Sequence, residues 1–383
     1  VRRRARTSRG GWQGSACRWC RSGPSARALT TSAPRPSSWP SSLPQRAAEV
    51  IAAQFDVVMA AAEGCDVLVA TWMMPAAAGA LSIAERRGIR SVSVTFQQLT
   101  LPSPHHPPPA YPGRPFPPEV RDNRVLRELD SESIDVLFGE ALNTSRAGVG
   151  LPPVVNVRDY VVGERPWLAT DPVLDPWRVP ADLDVVHTGA WVLPDERPLP
   201  AGLTALLDAG TPPVYVGFGS MPLHGAADAG RGAVEAVRAQ GHRVLFSRGW
   251  AGLDLDDSRD DRGDRDDLFV VDEVNHQALF ARVAAVVHHR GAGTTTTAAR
   301  ASAPQVVVPQ SADQPYWADR VAELGIGAAH DGPVPDAASL SAALATALAP
   351  GTRARAAAVA GTVRTDGATV AAELLLATAA TSR

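Results

Sequence analysis

Short apolar runs alternate along this chain with longer segments whose apolar positions recur every three or four residues. Pro44 to Gly64 carries Val50, Ile51, Phe55 and Val58 at helical spacing and predicts a helix, and Asp66 to Thr71 predicts a short buried strand. The alternation repeats. Ala76 to Gly88 reads as a helix, Ile89 to Thr95 as a strand, and Glu119 to Gly148 as a helical stretch with acids and bases interspersed on its polar faces. After a strand at Val185 to Thr188, further strands are expected at Val214 to Gly217, Arg243 to Ser247, Leu268 to Val271, Ala284 to His288 and Gln305 to Val308, with helices between them. Runs this apolar are buried on both faces. The expected class is α/β, with parallel, doubly wound sheets.

Three stretches break the pattern. Residues 101–118 (LPSPHHPPPAYPGRPFPP) are too proline-rich for a helix or a central strand and predict a stiff, polyproline-like surface segment. Trp191 to Pro200 (WVLPDERPLP) reads as an interdomain linker between a first domain over 23–190 and a second over 201–383. Residues 251–267 are rich in Asp and Arg without period, as in a solvated excursion.

A chain of 383 residues, 45% hydrophobic and with a net charge of −3, is long enough for about two domains and does not suit nucleic acid as a partner. It contains no lysine. That excludes a P-loop, a protein-kinase site and a pyridoxal Schiff base, each of which needs one. Three cysteines, Cys17, Cys20 and Cys65, cannot form a disulfide framework and point to a reducing, cytoplasmic setting. Cys17 and Cys20 lack the second Cys/His pair that a zinc site needs, and no metal is expected. There is no apolar run long enough for a membrane span and no signal-peptide h-region at the start.

The chemistry concentrates at His288-His289-Arg290-Gly291-Ala292-Gly293-Thr294-Thr295, which follows an apolar run and precedes a helical segment. Strand, tight turn and helix start together supply glycine for close backbone approach. The helix start adds hydroxyl and N–H donors and the positive end of a helix dipole. This is the equipment for binding a diphosphate. A lone Gly-x-Gly turn is also ordinary strand-to-helix punctuation, so its neighbours decide its meaning. Around it stand GFGS at 217–220, SRGW at 247–250, VNHQALF at 274–280 and PQSADQPYWADRV at 309–321.

In this order the motifs resemble those of nucleotide-sugar-dependent glycosyltransferases of the GT-B fold. The closest resemblance is to the actinobacterial enzymes that glycosylate antibiotic aglycones, the vancomycin-type glycopeptide glucosyltransferases in particular. It extends from about Gly23 to the C-terminus and implies two Rossmann-like domains, an acceptor-binding first and a donor-binding second. It also implies an inverting transfer from a UDP- or TDP-sugar to an aglycone hydroxyl, with no other cofactor. By the same resemblance, Ser220, His289, Arg290, Gly291, Ala292, Gly293, Thr294 and Thr295 hold the donor diphosphate. Trp250 and the backbone near Val271 and Val274 hold the base, and Asp313 and Gln314 read the sugar hydroxyls. A carboxylate and an amide suit that last task, since together they accept from and donate to vicinal hydroxyls. Each residue also has a plainer reading: Trp250 as core, Asp313 as a cap for the helix at Gln314, His288 as a satisfied core histidine.

Two positions depart from the resemblance. Arg290 stands for a usual glycine in the turn, and Ser302 for a common glycine in the helix that follows. Thr297 stands where plant relatives carry a ribose-binding glutamate. In the first half, His105, His106, Tyr111 and Phe116 fall in the region that contacts aglycones, where aromatics suit a flat or peptidic acceptor. The alternative there is a surface loop without a ligand.

The resemblance also implies an opening strand, a Gly-Ser-Arg-Gly-Asp type loop whose aspartate is the general base, and a helix; none is present ahead of Gly23. Residues 1–22 have neither helical nor strand period and are expected to be a non-native, frame-shifted segment. A back-translation into GC-rich codons, read in a shifted frame, gives PDFAGWLAGVGVPVVPVGP, and the source DNA tests that idea. His105 or His106 could in principle substitute for the absent aspartate, having the right pKa class. The expectation is donor binding with weak or absent turnover. Two rivals remain, a catalytically impaired donor-binding helper and a nucleotide-sugar epimerase. A Rossmann dehydrogenase is weaker, because GFGSMP lacks the third glycine of the fingerprint.

Overall fold

The computed structural model describes residues 39–71, 74–111, 113–218, 226–248, 267–289, 291–310 and 312–380. The segment 1–22 and most of the charged stretch 251–267 therefore lie outside the described residues, as do Ser220, Trp250 and Arg290. The chain gathers into two compact units. One holds the described residues through Leu168, with Arg178–Val186 and the last helix from Ala371; the other holds Ala169–Trp177 and His187–Val370.

In the first unit α1 (Trp39–Ala61), β1 (Val67–Thr71), α2 (Met74–Arg87) and β2 (Arg90–Thr95) follow the expected alternation. The first helix starts ahead of Pro44, which lies inside it. The long helical stretch is more divided than its periodicity predicts. It opens only at α3 (Asn123–Ile134), where Asp122 accepts from Arg124 N at 2.7 Å. It then passes through a π-turn at Asp135–Gly139 into α4 (Glu140–Gly148). The π-turn places Leu137 and Phe138 in one core with Ile51, Ile83, Leu142 and with Val157 and Val161 of α5 (Val157–Val162). Strands β3 (Trp167–Leu168) and β4 (Val186–His187) complete a sheet of order β1-β2-β3-β4, with β1 and β3 both parallel to β2.

The second unit is a six-stranded sheet built from β5 (Val214–Gly217), β6 (Val244–Ser247), β7 (Leu268–Val271), β8 (Ala285–His288), β9 (Gln305–Val307) and β10 (Gly327–Ala329). Its order is β10-β9-β8-β5-β6-β7, and the pairings are parallel throughout. Period-two alternation sends Val214, Val216, Val244 and Phe246 to one face, under α7 (Ala226–Ala239) and α11 (Ala337–Leu348). Tyr215, Leu245 and Val286 go to the other, under α6 (Ala201–Asp208), α8 (His276–Leu279) and α9 (Ala292–Arg300). This is the doubly wound arrangement the apolar runs predict. Two further helices, α10 (Gln314–Glu323) and α12 (Pro350–Ala360), share a third core around Trp317, and α13 (Gly367–Ala380) ends the described chain. The stretch read as a linker is extended and bound to the second unit: Asn275 Nδ2 donates to the carbonyls of Asp195 and Arg197, and Gln277 Nε2 to that of Leu193.

Ser302 explains why glycine is common at its position. It follows the C-cap Ala301 of α9 with φ +59°, while Ser302 N donates to Ala299 O and Ala303 N to Ala298 O. That is a Schellman closure, whose left-handed residue strains any side chain. Ser302→Gly is expected to stabilise the protein by about 0.5–1 kcal/mol in urea unfolding. A glycine variant no more stable than the parent would refute this account of the turn.

Candidate functional site

Strand β5 is where the order of the second sheet reverses: β6 and β7 extend to one side of it, β8, β9 and β10 to the other. Helices leave the two sides in opposite directions, so a crevice opens between the carboxyl ends of β5 and β8, the usual ligand position in such sheets. Gly217 and His288 are register partners there, and His288 also pairs with Val307 of β9. The chain therefore leaves Gly217 and His288 from neighbouring strands, side by side. Phe218 and His289, both buried, bring their rings within 6.1 Å.

From this edge the chain enters α9, with Gly291 as an N-cap that makes no side-chain cap bond. Its first N–H groups have no acceptor within the helix, and they face the crevice with the positive end of the helix dipole. Thr294, Thr295 and Thr296 are all buried. Thr295 Oγ1 has no hydrogen-bond partner among the described residues. Thr297, by contrast, donates its hydroxyl to Gly293 O at 2.8 Å. Gln305, at the start of β9, braces the turn from behind: its Oε1 lies 3.0 Å from His288 Nε2, and its Nε2 donates to Thr295 O. His288 is thus buried, with its Nε2 paired to Gln305.

Gly291 has an ordinary negative φ of −75°. It is glycine for space: a Cβ there would lie 2.4 Å from Asp313 Oδ2. The glycine turn and the Asp313 carboxylate are therefore packed against each other. Asp313 precedes α10 and makes no side-chain cap bond, so the capping alternative is not realised. Its Oδ2 accepts instead from Trp317 Nε1 at 2.8 Å. Gln314 is buried, and its Oε1 accepts from Gln310 N at 2.7 Å. Val271 and Val274 contribute their side chains to the core, and Val271 O already accepts from Arg248 N.

In the first unit the proline-rich segment is not a free surface loop. Leu101 and Ser103 are buried, Asn123 Nδ2 donates to Pro104 O, and Arg127 donates to Leu99 O and His106 O. Tyr111 turns inward, edge-on to Phe138 at 5.8 Å, and burial raises its hydroxyl pKa. Phe116 stays half-buried. The two histidines differ. His106 Nδ1 accepts from Arg127 Nη2 at 2.7 Å, and burial, then the Arg127 charge, push its pKa down to about 4. Its lone pair is committed and its basicity low. His105 Nε2 lies 2.8 Å from the Pro180 carbonyl, which can only accept, so Nδ1 keeps the lone pair.

Sequence reasoning missed Gln305 and Trp317. Trp317 stands one helical turn from Asp313, which is the only signal the chain gives of their contact.

Comparison with known proteins fits this geometry. Residues 254–372 match the family described as erythromycin biosynthesis protein CIII-like, C-terminal domain. The chain is 56% identical over 329 residues to glycosyltransferase GtfE of Amycolatopsis orientalis, covering 86% of this chain and 78% of that protein. It is 55% identical over 328 residues to the vancomycin aglycone glucosyltransferase of the same organism, with the same two shares. Among solved structures, the glycotransferase of kitacinnamycin matches with a TM-score of 0.63 at 18% identity, over 87% of this chain and 82% of that one. The glycosyltransferase VinC, solved in complex with dTDP, matches with a TM-score of 0.58 at 19% identity, over 92% and 84%. The structural likenesses carry the GT-B fold, and the sequence identities carry the family. The chain belongs to the glycopeptide-antibiotic glycosyltransferases, transferases that draw on nucleotide-sugar donors.

Proposed function

We propose that this chain moves a sugar from a UDP- or TDP-sugar to a hydroxyl of a glycopeptide aglycone, inverting the anomeric carbon. The acceptor class follows the vancomycin aglycone glucosyltransferase, and the thymidine alternative follows VinC with its dTDP. The observation that carries the donor half is the Thr295 hydroxyl, buried and without a partner among the described residues in the first turn of α9. Leaving a hydroxyl buried and unpaired costs about 1–3 kcal/mol, which a phosphate oxygen accepting from it would offset. In the transfer, the acceptor oxygen bonds to the anomeric carbon as the bond from that carbon to the diphosphate oxygen breaks. The electron pair leaves with the nucleoside diphosphate, whose charge the α9 donors stabilise, and the acceptor proton passes to a base. Of the histidines in the proline-rich segment, His105 has the available lone pair.

Thr295→Val separates a ligand-binding hydroxyl from a structural one, because the two roles predict opposite signs. Removing an unpaired hydroxyl should leave the ligand-free protein as stable or about 1 kcal/mol more stable, while UDP or TDP affinity falls about tenfold. A variant that loses stability and keeps its nucleotide affinity would overturn the donor assignment. Transfer itself is read by mass spectrometry with a panel of donors and aglycones. Donor binding without transfer would favour a helper protein, and sugar isomerisation without an aglycone would favour an epimerase.

A further inference from the structure

We infer that Trp317 is a positioning residue for donor-sugar recognition: its indole N–H holds the Asp313 carboxylate against Gly291 and leaves Oδ1 to the sugar. The inference rests on the reading of Asp313 as a sugar-reading group. Trp317 is fully buried, and an indole N–H can only donate. Its one hydrogen bond among the described residues is to Asp313 Oδ2. The ring itself is fixed by its core, with Leu174, Val307, Val321 and Ile326 around it. Helix α10 is fixed in turn, since Arg320 donates to the carbonyls of Leu174 and Val173 and Tyr316 Oη to Asp175 Oδ1. The indole is therefore a rigid donor and the carboxylate the part that conforms to it.

Three features at Asp313 work against stability, and each serves the same placement. An aspartate before a helix ordinarily caps it, for about 1 kcal/mol, yet this one gives its oxygen to Trp317 and makes no cap bond. Ala312, which delivers it, is held at φ +58°, a left-handed conformation that strains an alanine. Gly291 gives up a side chain so that the carboxylate can rest on its Cα side. With Oδ2 so held, Oδ1 has no partner among the described residues and is the atom that can accept from a sugar hydroxyl beside the diphosphate turn.

The test compares binding of UDP-glucose and TDP-glucose with binding of UDP and TDP alone by calorimetry, using the full chain and the variants W317F, G291A, D313N and W317F/D313N. The expected result is a loss of about tenfold in nucleotide-sugar affinity in each single variant; in W317F and D313N the affinity for the free nucleotide stays within about twofold of the parent, while G291A, which also alters the turn itself, loses more for the nucleotide sugar than for the free nucleotide. The double variant should be no worse than D313N, because Trp317 acts through Asp313. If neither W317F nor G291A loses more affinity for the nucleotide sugar than for the free nucleotide, while D313N retains a sugar-specific loss, the positioning role is refuted and the sugar-reading role stands. If D313N itself shows no sugar-specific loss, the underlying reading of Asp313 fails. Should W317F fail to fold, G291A still decides, since it displaces the same carboxylate and leaves the Trp317 core intact.

Discussion

Asp171→Ala is expected to cost about 4 kcal/mol of stability, read as a lowered urea midpoint, and to weaken nucleotide-sugar binding with it. Asp171 is fully buried in the segment Ala169–Trp177, which belongs to the second unit although it precedes that unit's sheet by some distance in the chain. Its Oδ1 accepts from Val173 N at 2.9 Å and Leu174 N at 3.3 Å, and its Oδ2 accepts from Arg364 N at 2.7 Å. Removing the carboxylate strands three main-chain donors at once, each costing about 1–3 kcal/mol when buried and unpaired. The functional effect follows from what the segment holds. Arg320 of α10 donates to the carbonyls of Val173 and Leu174, so a loosened segment frees the helix that begins beside Asp313. Asp171→Asn should lose less, because its Oδ1 can still accept from Val173 and Leu174 while its amide faces the Arg364 N–H. A loss below about 1 kcal/mol in the alanine variant would refute this fastening role.

That segment also shows where sequence reading stops. Strands β5 to β9 were legible within a residue at each end, because most of their positions are apolar and pack into the two cores that cover the sheet. Strand β10 was not, since Gly-Ala-Ala at 327–329 carries no β-branched or aromatic residue, and two-residue β3 is too short for any period. The π-turn inside the long helical stretch keeps the apolar positions close to helical spacing and so hides in the pattern. At the proposed site, residue type and order alone single out the turn at Gly291 to Thr295 and the pair Asp313-Gln314. They do not single out its supports. Trp317, Gln305 and Asp171 act through single hydrogen bonds whose partners tertiary packing selects, and an indole, an amide and a carboxylate look alike in sequence whether they brace a site or only fill space. His106 is the converse case. It reads as an exposed loop imidazole until Arg127, from α3, claims its lone pair.

The same corner of the first unit yields the largest expected pH effect. Asp130 on α3 is 5% exposed, and burial pushes its carboxyl up to about 6 against the opposing charges of Arg127 and Arg158, with the Tyr111 hydroxyl nearby. Its folded pKa is raised above the unfolded value of 3.8, so folding favours the protonated form. Its contribution is fully present below about pH 4 and is lost as pH rises through about 6, a change of about 3 kcal/mol. His106 runs the other way. Its pKa falls from 6.5 to about 4 through burial and the charge of Arg127, with smaller effects from His105 and Arg178. Its contribution is therefore present above about 6.5 and lost as pH falls through about 4. Between about pH 4 and 6 the two slopes oppose, and the parent protein should be nearly flat from this pair. Asp130→Asn removes one slope and exposes the other: the variant should match the parent near pH 4 or below and exceed it by about 3 kcal/mol at pH 7, as urea midpoints at the two pH values would read. A gap that does not change with pH, or a less stable variant at pH 7, would sink the argument. The compensation matters for the site because both groups meet at Arg127, which fastens Leu99 and His106 to α3. A proline-rich segment whose anchoring holds across this range keeps His105, next to the fastened His106, in a fixed position, as its proposed role as base requires.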